Sequence, residues 1–350
     1  MASPTPTPAP ASAPAAVGED GILPAQHWAQ LQQTAREGDT DGDSAVASNS
    51  SSTESLTESI LEYRKLHGRT YHGEKHAEYW GPVDSRYQEA LDINHHVLTM
   101  MIGGKLHLAP LDKGIKKVVD IGTGTGIWAM DFADQYPSAS VVGTDISPTQ
   151  PSWVPPNLEF QIDDCTAPWT FAPNSLDYIH MRWLVGAVQD WPALYAQAFA
   201  ALKPGGWLES YEPASTFESD DGTVTADCAV WQWTKIFIEG GKKLGRSFTI
   251  YEDGVQRRAM EEVGFGGVQA REVKCPVGTW PKDPAQREVG AYMQLAFEQD
   301  AEGTVLFMAT TLGWTREEVG VFLAQFRREI RSKKVHGYFR QRVVWGQKPL

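Results

Sequence analysis

The sequence predicts an α/β protein built on an open, mostly parallel sheet. Apolar strand-like runs alternate with helical patterns from residue 116 to residue 212. A glycine-rich turn follows the first of these strands, and acidic side chains end the first three. Such alternation is typical of parallel strands joined by right-handed crossovers. Because ligands bind open α/β sheets at the carboxyl ends of their strands, we expect a binding site there.

The individual strands are predicted from short apolar runs, which are typical of parallel strands buried on both faces. The first five strands are expected at 116–122, 140–147, 158–164, 176–183 and 206–212, with crossover helices at 127–135 and 191–202. Further helices are expected at 223–244, 253–263, 284–299 and 315–333, and strands six and seven at 268–278 and 338–349. The two late helices form a helical insertion between strands six and seven, over about residues 279–335 of a domain spanning 111–350.

A tail and a helical lid are predicted ahead of this domain. Residues 1–56 are rich in Ala, Pro, Ser and acidic residues. With so few large apolar groups the segment cannot offset its ordering entropy, and we expect it to be disordered. One exception is 21–33, which could form a short helix on contact with another surface. Helical patterns at 55–69 and 84–101 predict a helical N-terminal lid over residues 57–110.

Composition and charge exclude several classes of protein. The net charge is −13, and residues 1–62 hold nine acidic residues against one basic residue. Binding of nucleic acid needs a basic face, so no nucleic-acid partner is expected. No run approaches the roughly 20 apolar residues of a membrane helix, and the N-terminus lacks the pattern of a secretory signal. The expected location is therefore cytoplasmic or nuclear, and the protein is not expected to be secreted.

The strongest local motif is VVDIGTGTG at 118–126, in which Asp120 ends a strand and Gly122, Gly124 and Gly126 shape the following turn. Glycine allows positive φ and lets a ligand lie against the backbone. A helix N-terminus offers free N–H groups and the positive end of a dipole. Dinucleotide sites read G-x-G-x-x-G, so this spacing favours a ligand without a pyrophosphate. The alternative is a tight turn without a ligand.

Further candidates lie at the ends of the next three strands. Asp145 could accept hydrogen bonds from both hydroxyls of a ribose, or could cap a turn. Asp164, slightly favoured over Asp163, could accept from an adenine amino group, with a turn cap as the equal alternative. His180 could contact the methionine part of a cofactor or the substrate, or could be a core histidine.

Candidate bases and metal ligands are limited to histidines and one glutamate. His180 and His72 are the first and second candidates for catalysis; His76, His95, His96 and Glu209 follow. For each single histidine, a structural role remains the alternative. His95 and His96 are adjacent and therefore do not share a helix face. The three cysteines are far apart, so no metal site is predicted.

The sequence resembles the fungal LaeA-like methyltransferases. The resemblance rests on GRTYH at 68–72, DINHH at 92–96, the stretches 118–147 and 179–210, and the terminal VVWGQKP; it spans roughly 60–350. It implies a class I, Rossmann-like methyltransferase fold with a seven-strand sheet whose last strand is antiparallel. It also implies the cofactor S-adenosyl-L-methionine. By the matching motifs, Asp120 and the three glycines would flank the methionine part, Asp145 the ribose and Asp164 the adenine, with Tyr71 of the RTYH motif as a further cofactor contact.

Three functions follow as hypotheses. The first is an S-adenosylmethionine-dependent methyltransferase that acts on a small-molecule acceptor of secondary metabolism. The second is a LaeA-like nuclear regulator of secondary metabolism that works through protein partners, which the acidic tail also suggests. The third is a methyltransferase-fold enzyme that catalyses non-methylating chemistry. Neither the acceptor atom nor the oligomeric state is predicted by the sequence.

Overall fold

The structure, a computed structural model, describes residues 20–36, 63–73 and 79–350. Most of the predicted tail, 1–56, therefore lies outside the described residues. Within the predicted tail, helix α1 (Ala25–Arg36) overlaps 21–33, the segment that the sequence analysis singled out as a possible short helix. The Trp28 side chain of α1 is fully buried. The sequence analysis expected this helix to form on contact with another surface, and that surface belongs to the same chain.

A β-hairpin precedes the sheet where a helix was predicted. Strands β1 (Arg64–Leu66) and β2 (Arg69–Tyr71) pair antiparallel. His67 and Gly68 both have positive φ, 51° and 82°. Two such residues form the tight turn that suits a hairpin and cannot continue a helix. The helical interpretation of 55–69 is therefore wrong for its described part.

The second helix of the predicted lid is confirmed. Helix α2 spans Ser85–Met101 and begins at Asp84, whose side chain accepts the backbone N–H of Tyr87. An aspartate at this position satisfies N–H groups that have no partner inside the helix. The hairpin and α2 together form the segment before the sheet.

The central sheet has seven strands in the order β5-β4-β3-β6-β7-β9-β8. The strands are β3 (Lys117–Ile121), β4 (Ser140–Asp145), β5 (Leu158–Ile162), β6 (Leu176–Arg182), β7 (Leu202–Glu218), β8 (Gly266–Pro276) and β9 (Tyr338–Gln347). Strand β9 runs antiparallel to both β7 and β8, and the β3, β4, β5, β6 and β7 pairings are parallel. This confirms the seven-strand fold with an antiparallel last strand. The order reverses between β3 and β6, which is where open sheets bind ligands.

Six helices flank the sheet. They are α3 (Ile127–Gln135), α4 (Trp191–Ala201), α5 (Ala229–Lys243), α6 (Val255–Val263), α7 (Pro284–Thr311) and α8 (Arg316–Arg331). Helix α7 consists of two helical segments separated at Asp300, whose φ and ψ of −153° and 56° are not helical. The first segment ends where the predicted helix 284–299 ends, and the second was not predicted. Helices α7 and α8 form the predicted insertion between β8 and β9. They pack against each other, α7 also contacts α2, and α8 also contacts α1.

A buried ion network ties the hairpin to two of these helices. Arg69 of β2 donates from Nε and Nη2 to the carboxylate of Asp84, both at 2.7 Å. It also donates to both carboxylate oxygens of Asp300, at 2.8 and 2.5 Å. The side chain of Asp300 is fully buried at the kink of α7. One guanidinium therefore joins β2, the start of α2 and the break in α7.

Candidate functional site

A cavity opens at the carboxyl ends of β3, β4 and β6, with α2 along one wall. The cavity and its open mouth hold about 1220 Å³ of empty space. It is lined by Tyr79, Pro82, Val83, Tyr87, Gln88, Leu91, Asn94, Asp120, Gly122, Thr123, Gly124, Thr125, Ile127, Asp145, Ile146, Ser147, Thr149, Asp163, Asp164, Cys165, Thr166, Arg182, Trp183, Leu184 and Ala187. The glycine turn and the acidic strand ends therefore meet at one place, the reversal point of the sheet.

The three glycines of the turn have different roles. All have positive φ: 66° at Gly122, 59° at Gly124 and 81° at Gly126. A Cβ at Gly124 would meet nothing within 4 Å, so its backbone borders open space in the cavity. A Cβ at Gly122 would collide with Leu184, and one at Gly126 with Phe160. Gly126 begins α3 and lies outside the cavity lining, so its contribution is to the turn.

Asp145 lies on the cavity wall next to this turn. Its Oδ2 accepts the Gly124 N–H at 2.9 Å and its Oδ1 accepts the Ser147 N–H at 3.0 Å. Burial raises the pKa of Asp145 to about 6. The backbone N–H of Ile146 is a third donor to this carboxylate, so at least one of its about four acceptor positions remains for a ligand. Contact with ribose hydroxyls stays a prediction.

Asp163 and Asp164 also line the cavity, beyond the end of β5. One oxygen of Asp164, Oδ1, accepts from the backbone N–H and the hydroxyl of Thr166, at 2.9 and 2.7 Å. This is the turn-capping arrangement that stood as the alternative. The capping bonds leave Oδ2 of the same carboxylate for a donor in the cavity, so contact with an adenine stays a prediction.

His180 is not a cavity residue, and its predicted contact with substrate is wrong for this geometry. Its Nδ1 lies 2.7 Å from Oδ1 of Asp120, whose Oδ2 accepts from the Thr123 hydroxyl at 2.6 Å. The ring stacks on Trp128, with centroids 3.7 Å apart and planes at 4°. Only 1% of the side chain is exposed. His180 therefore contacts Asp120 from within the core, which is the geometry of the core-histidine alternative.

The burial of His180 predicts an acid-sensitive step in stability. Desolvation lowers the pKa of His180 from 6.5 to about 4. Between pH 6.5 and pH 4, this histidine is protonated in the unfolded chain but neutral in the folded chain. The free energy of unfolding should therefore fall by on the order of 3 kcal/mol as the pH is lowered through this range. Denaturant unfolding across this range should show a shallower fall in His180→Gln, which keeps a donor for Asp120. An unchanged pH dependence in the variant would contradict the assignment.

Tyr71 and His72 of the RTYH motif also lie outside the cavity lining. Tyr71 is fully buried in β2 and packs near Phe307, with ring centroids 5.7 Å apart, so the predicted cofactor contact is wrong for this geometry. His72 is buried, with Nδ1 3.2 Å from the hydroxyl of Ser147, which does line the cavity. Among the described residues, no histidine lines the cavity.

Several lining residues were not singled out as site residues by the sequence analysis. Asn94 stands within the motif DINHH and Arg182 within the stretch 179–210, and these matches could have identified both residues. Tyr79 and Tyr87 belong to the segment before the sheet and line the cavity. Burial raises the pKa of Tyr79 to about 12 and raises that of Tyr87 as well. Both phenols are therefore neutral near pH 7, and they hydrogen-bond to each other.

The loop after β6 is held in a strained conformation that shapes the cavity. Trp183 has φ of +58°, which is unfavourable for a residue with a side chain. Its backbone N–H donates to the Tyr211 carbonyl at 3.0 Å. The next two N–H groups, of Leu184 and Val185, both donate to the buried carboxyl of Glu212 at 3.0 Å. These bonds fix Leu184 against the glycine turn.

Two features of other classes of function are absent from the part of the chain that the structure describes. No group of three or more His, Cys, Asp or Glu side chains there is placed to hold a metal ion. None of the described helices has both the length and the apolar stretch that crossing a membrane would need.

The chain is similar to several fungal proteins and matches one family model. The model, described as a methyltransferase domain, matches residues 93–268. "Methyltransferase pytC" of Aspergillus terreus is 39% identical, over 89% of this chain and 96% of that protein. "Secondary metabolism regulator LAE1" of Cochliobolus heterostrophus is 32% identical, over 81% and 94%. "Protein-methionine methyltransferase laeA" of Emericella nidulans is 31% identical, over 83% and 77%.

The geometry fits the cofactor that this family uses. The backbone at Gly124 borders open space, the Asp145 carboxylate keeps at least one acceptor position, and the buried Oδ1 of Asn94 has no hydrogen-bond partner among the described residues. A nucleoside-sized ligand placed there would meet donors, acceptors and bare backbone. The chain therefore belongs to the fungal LaeA-like family of S-adenosylmethionine-dependent methyltransferases.

Proposed function

We propose that this methyltransferase acts on a small-molecule acceptor of secondary metabolism. The observation that carries the proposal is the aromatic wall of the cavity. It consists of the aromatic and apolar lining residues Tyr79, Pro82, Val83, Tyr87, Leu91, Trp183 and Leu184. Small-molecule sites are mostly apolar cavities with a few placed polar groups, and this wall has that character. The relative with 39% identity carries the name methyltransferase.

We assign the cofactor along the strand ends. Asp145 would accept from the ribose hydroxyls and Asp164 from the adenine amino group, while Asp120, Gly122 and Gly124 would flank the methionine part. When bound, S-adenosylmethionine supplies a methyl group that is already activated by the sulfonium charge. The residues of this chain then have to align the acceptor, and positioning of this kind can contribute on the order of 7–11 kcal/mol.

The second requirement is that the acceptor atom has a free lone pair, so an acceptor that carries a proton there has to lose it. The described lining contains no histidine, lysine or glutamate, and its two tyrosines are neutral near pH 7. A general base would need a pKa near the working pH, and the lining carboxylate whose pKa is raised to about 6, that of Asp145, is assigned to the ribose hydroxyls. The site therefore suits acceptors that are ionised before they enter, such as carboxylic acids, enols of dicarbonyl compounds and acidic phenols.

The cofactor assignment predicts a loss of binding in Asp145→Ala. Hydrogen bonds to a charged group contribute about 1.5–3 kcal/mol each, so affinity for S-adenosylhomocysteine should fall at least about tenfold. Asp134→Ala is a matched control, because Asp134 is an exposed carboxylate on α3. Titration calorimetry on the three proteins decides the matter. Equal affinities for Asp145→Ala and wild type would contradict the assignment.

The acceptor is tested by turnover. The protein is incubated with S-adenosylmethionine and a panel of carboxylic, enolic and phenolic small molecules, with Asp145→Ala as the inactive control. We expect S-adenosylhomocysteine together with a small molecule that has gained one methyl group. Methylation of protein alone, without any methylated small molecule, would count against the proposal.

A protein acceptor is the second candidate, because two relatives carry other names. They are called a secondary metabolism regulator and a protein-methionine methyltransferase. Intact-mass measurement after incubation of the protein with the cofactor alone would detect methyl groups on the chain itself. The third hypothesis, non-methylating chemistry, predicts product formation without S-adenosylhomocysteine, and the same assay measures both.

A further inference from the structure

A tryptophan with an unfavourable backbone conformation begins the loop after β6. Three described residues other than glycine have positive φ: His67, Asn174 and Trp183. The first two lie in tight turns, whereas Trp183 follows directly on β6 and lines the cavity. A bulky residue in this conformation is an outlier, and such outliers cluster at ligand sites. We propose that Trp183 selects planar, unsaturated acceptors that stack on its indole ring, an inference that rests on the proposed function because it concerns the acceptor.

Hydrogen bonds from outside the loop hold this conformation in place. Besides the bonds to Tyr211 and Glu212 described above, the Val185 carbonyl accepts from Nε1 of Trp80 at 3.0 Å. A glycine at position 183 would adopt the same φ without strain. The strain therefore comes from having a side chain at this position, and a role for the indole in the cavity would account for it.

The positive φ also changes which residues border the cavity. Consecutive side chains of a strand point to opposite faces of a sheet. Arg182 is the last residue of β6 and Trp183 is the next residue, yet both line the cavity. The turn in the backbone at Trp183 thus adds an aromatic residue to a wall that a continued strand would have left on one face.

The indole ring is fixed along one edge. Its Nε1 donates at 3.1 Å to Oε1 of Gln341, a fully buried residue of β9. The ring also meets Phe339 of β9 edge to face, with centroids 6.5 Å apart. Trp183 is nevertheless only partly buried, and it borders the cavity. A ring that is already held in one orientation loses little freedom when a ligand packs on it.

Trp183 lies on the side of the cavity that the cofactor assignment leaves unused. That assignment places S-adenosylmethionine at the ends of β3, β4 and β5. Trp183 follows β6 and binds β9, and both of these strands lie beyond the reversal point in the order of the sheet. The remaining aromatic lining residues, Tyr79 and Tyr87, belong to the same aromatic wall. A second ligand next to the cofactor would therefore meet Trp183.

Flat acceptors suit both this surface and the acceptor chemistry proposed above. Aromatic rings attract one another in offset-stacked or edge-to-face arrangements, beyond the effect of the area they bury. Phenolates and the enolates of dicarbonyl compounds are planar, because their negative charge is delocalised over the ring or over both carbonyls. A saturated acceptor of the same size would gain the burial of apolar surface but not the stacking.

The test compares a flat acid with its saturated counterpart. Titration calorimetry measures 2-naphthoate and decahydro-2-naphthoate, which share their charge and carbon skeleton, on protein saturated with S-adenosylhomocysteine. The proteins are wild type, Trp183→Phe, Trp183→Leu and the control Trp153→Leu, which changes a tryptophan that is 87% exposed. Thermal unfolding and the affinity for S-adenosylhomocysteine show for each variant whether the fold and the cofactor part of the cavity are intact.

A preference for the flat acid that depends on Trp183 supports the inference. Wild type and Trp153→Leu should bind 2-naphthoate about three- to tenfold more tightly than the saturated acid. Trp183→Leu should bind the two acids alike, and Trp183→Phe should keep part of the preference. If Trp183→Leu does not fold, the ratios of wild type and Trp183→Phe decide.

Three results would overturn the inference. They are no preference or no binding of either acid by wild type, an unchanged preference in the Trp183 variants, and a loss of S-adenosylhomocysteine binding in folded Trp183 variants. The last result would show that Trp183 shapes the glycine turn instead. Failure of wild type to bind S-adenosylhomocysteine would refute the proposed function itself.

Discussion

Replacing Arg69 by methionine is expected to lower the free energy of unfolding by about 3–5 kcal/mol. Arg69 is the cation between the carboxylates of Asp84 and Asp300, and only 9% of its side chain is exposed. Removing it leaves Asp300 buried at the kink of α7, with Arg86 Nε 3.5 Å away as a more distant partner. A buried charge that loses its main partner is far more costly than an exposed one.

Denaturant unfolding of the purified protein measures this effect. Arg257→Met is the matched control, because Arg257 forms an ion pair with Glu261 at 2.9 Å and both side chains are more than half exposed. Exposed pairs contribute about 0–1 kcal/mol. The double variant Arg69→Met with Asp300→Asn should recover part of the loss, since it removes the orphaned charge. Similar losses for Arg69→Met and the control would show that the network contributes little.

Truncating Trp28 to alanine is expected to cost about 3–5 kcal/mol, the range for large aromatic side chains in a core. Trp28 is fully buried where α1 packs on α8, and its ring meets Phe322 edge to face at 5.5 Å. The backbone N–H of Leu23, just before α1, donates to the buried side chain of Gln232 at 3.0 Å. Trp28 is thus the largest apolar contact that holds the helix, and Gln232 binds the segment before it through Leu23 and the Gly21 carbonyl.

The same unfolding experiment includes Trp153→Ala as control. Trp153 is 87% exposed, and surface substitutions usually stay within about 0.5 kcal/mol. Limited proteolysis would show in addition whether α1 detaches in Trp28→Ala before the domain unfolds. If the two tryptophan variants were equally stable, α1 would not be an integral part of this fold.

The strand ends and the glycine turn could be predicted because their signals are local. The turn at 122–126 needs positive φ, which only glycine adopts readily. Asp145 is the acidic residue that ends the short strand β4. The hairpin at 64–71 was missed because the residues around it have helical spacing. There, His67 and Gly68 override the periodicity through their backbone conformation.

The functions of His180 and Arg182 could not be separated in the same way. Side chains two residues apart in a strand share a face, so periodicity treats them alike. What separates them is depth: His180 pairs with Asp120 inside the sheet and stacks on Trp128, whereas Arg182 is the last residue of β6 and reaches the cavity. Depth depends on where the strand ends relative to its neighbours, and that is a property of the assembled sheet.

The position of β9 has a consequence for synthesis in the cell. This strand lies between β7 and β8, although both of these precede it in sequence. While the ribosome is still making residues 338–347, β8 has no neighbour in the sheet and β7 has an open edge. Unpaired strand edges are prone to join other chains. The nascent protein is therefore most exposed to aggregation just before this segment emerges, and chaperones that shield edges would matter most at that moment.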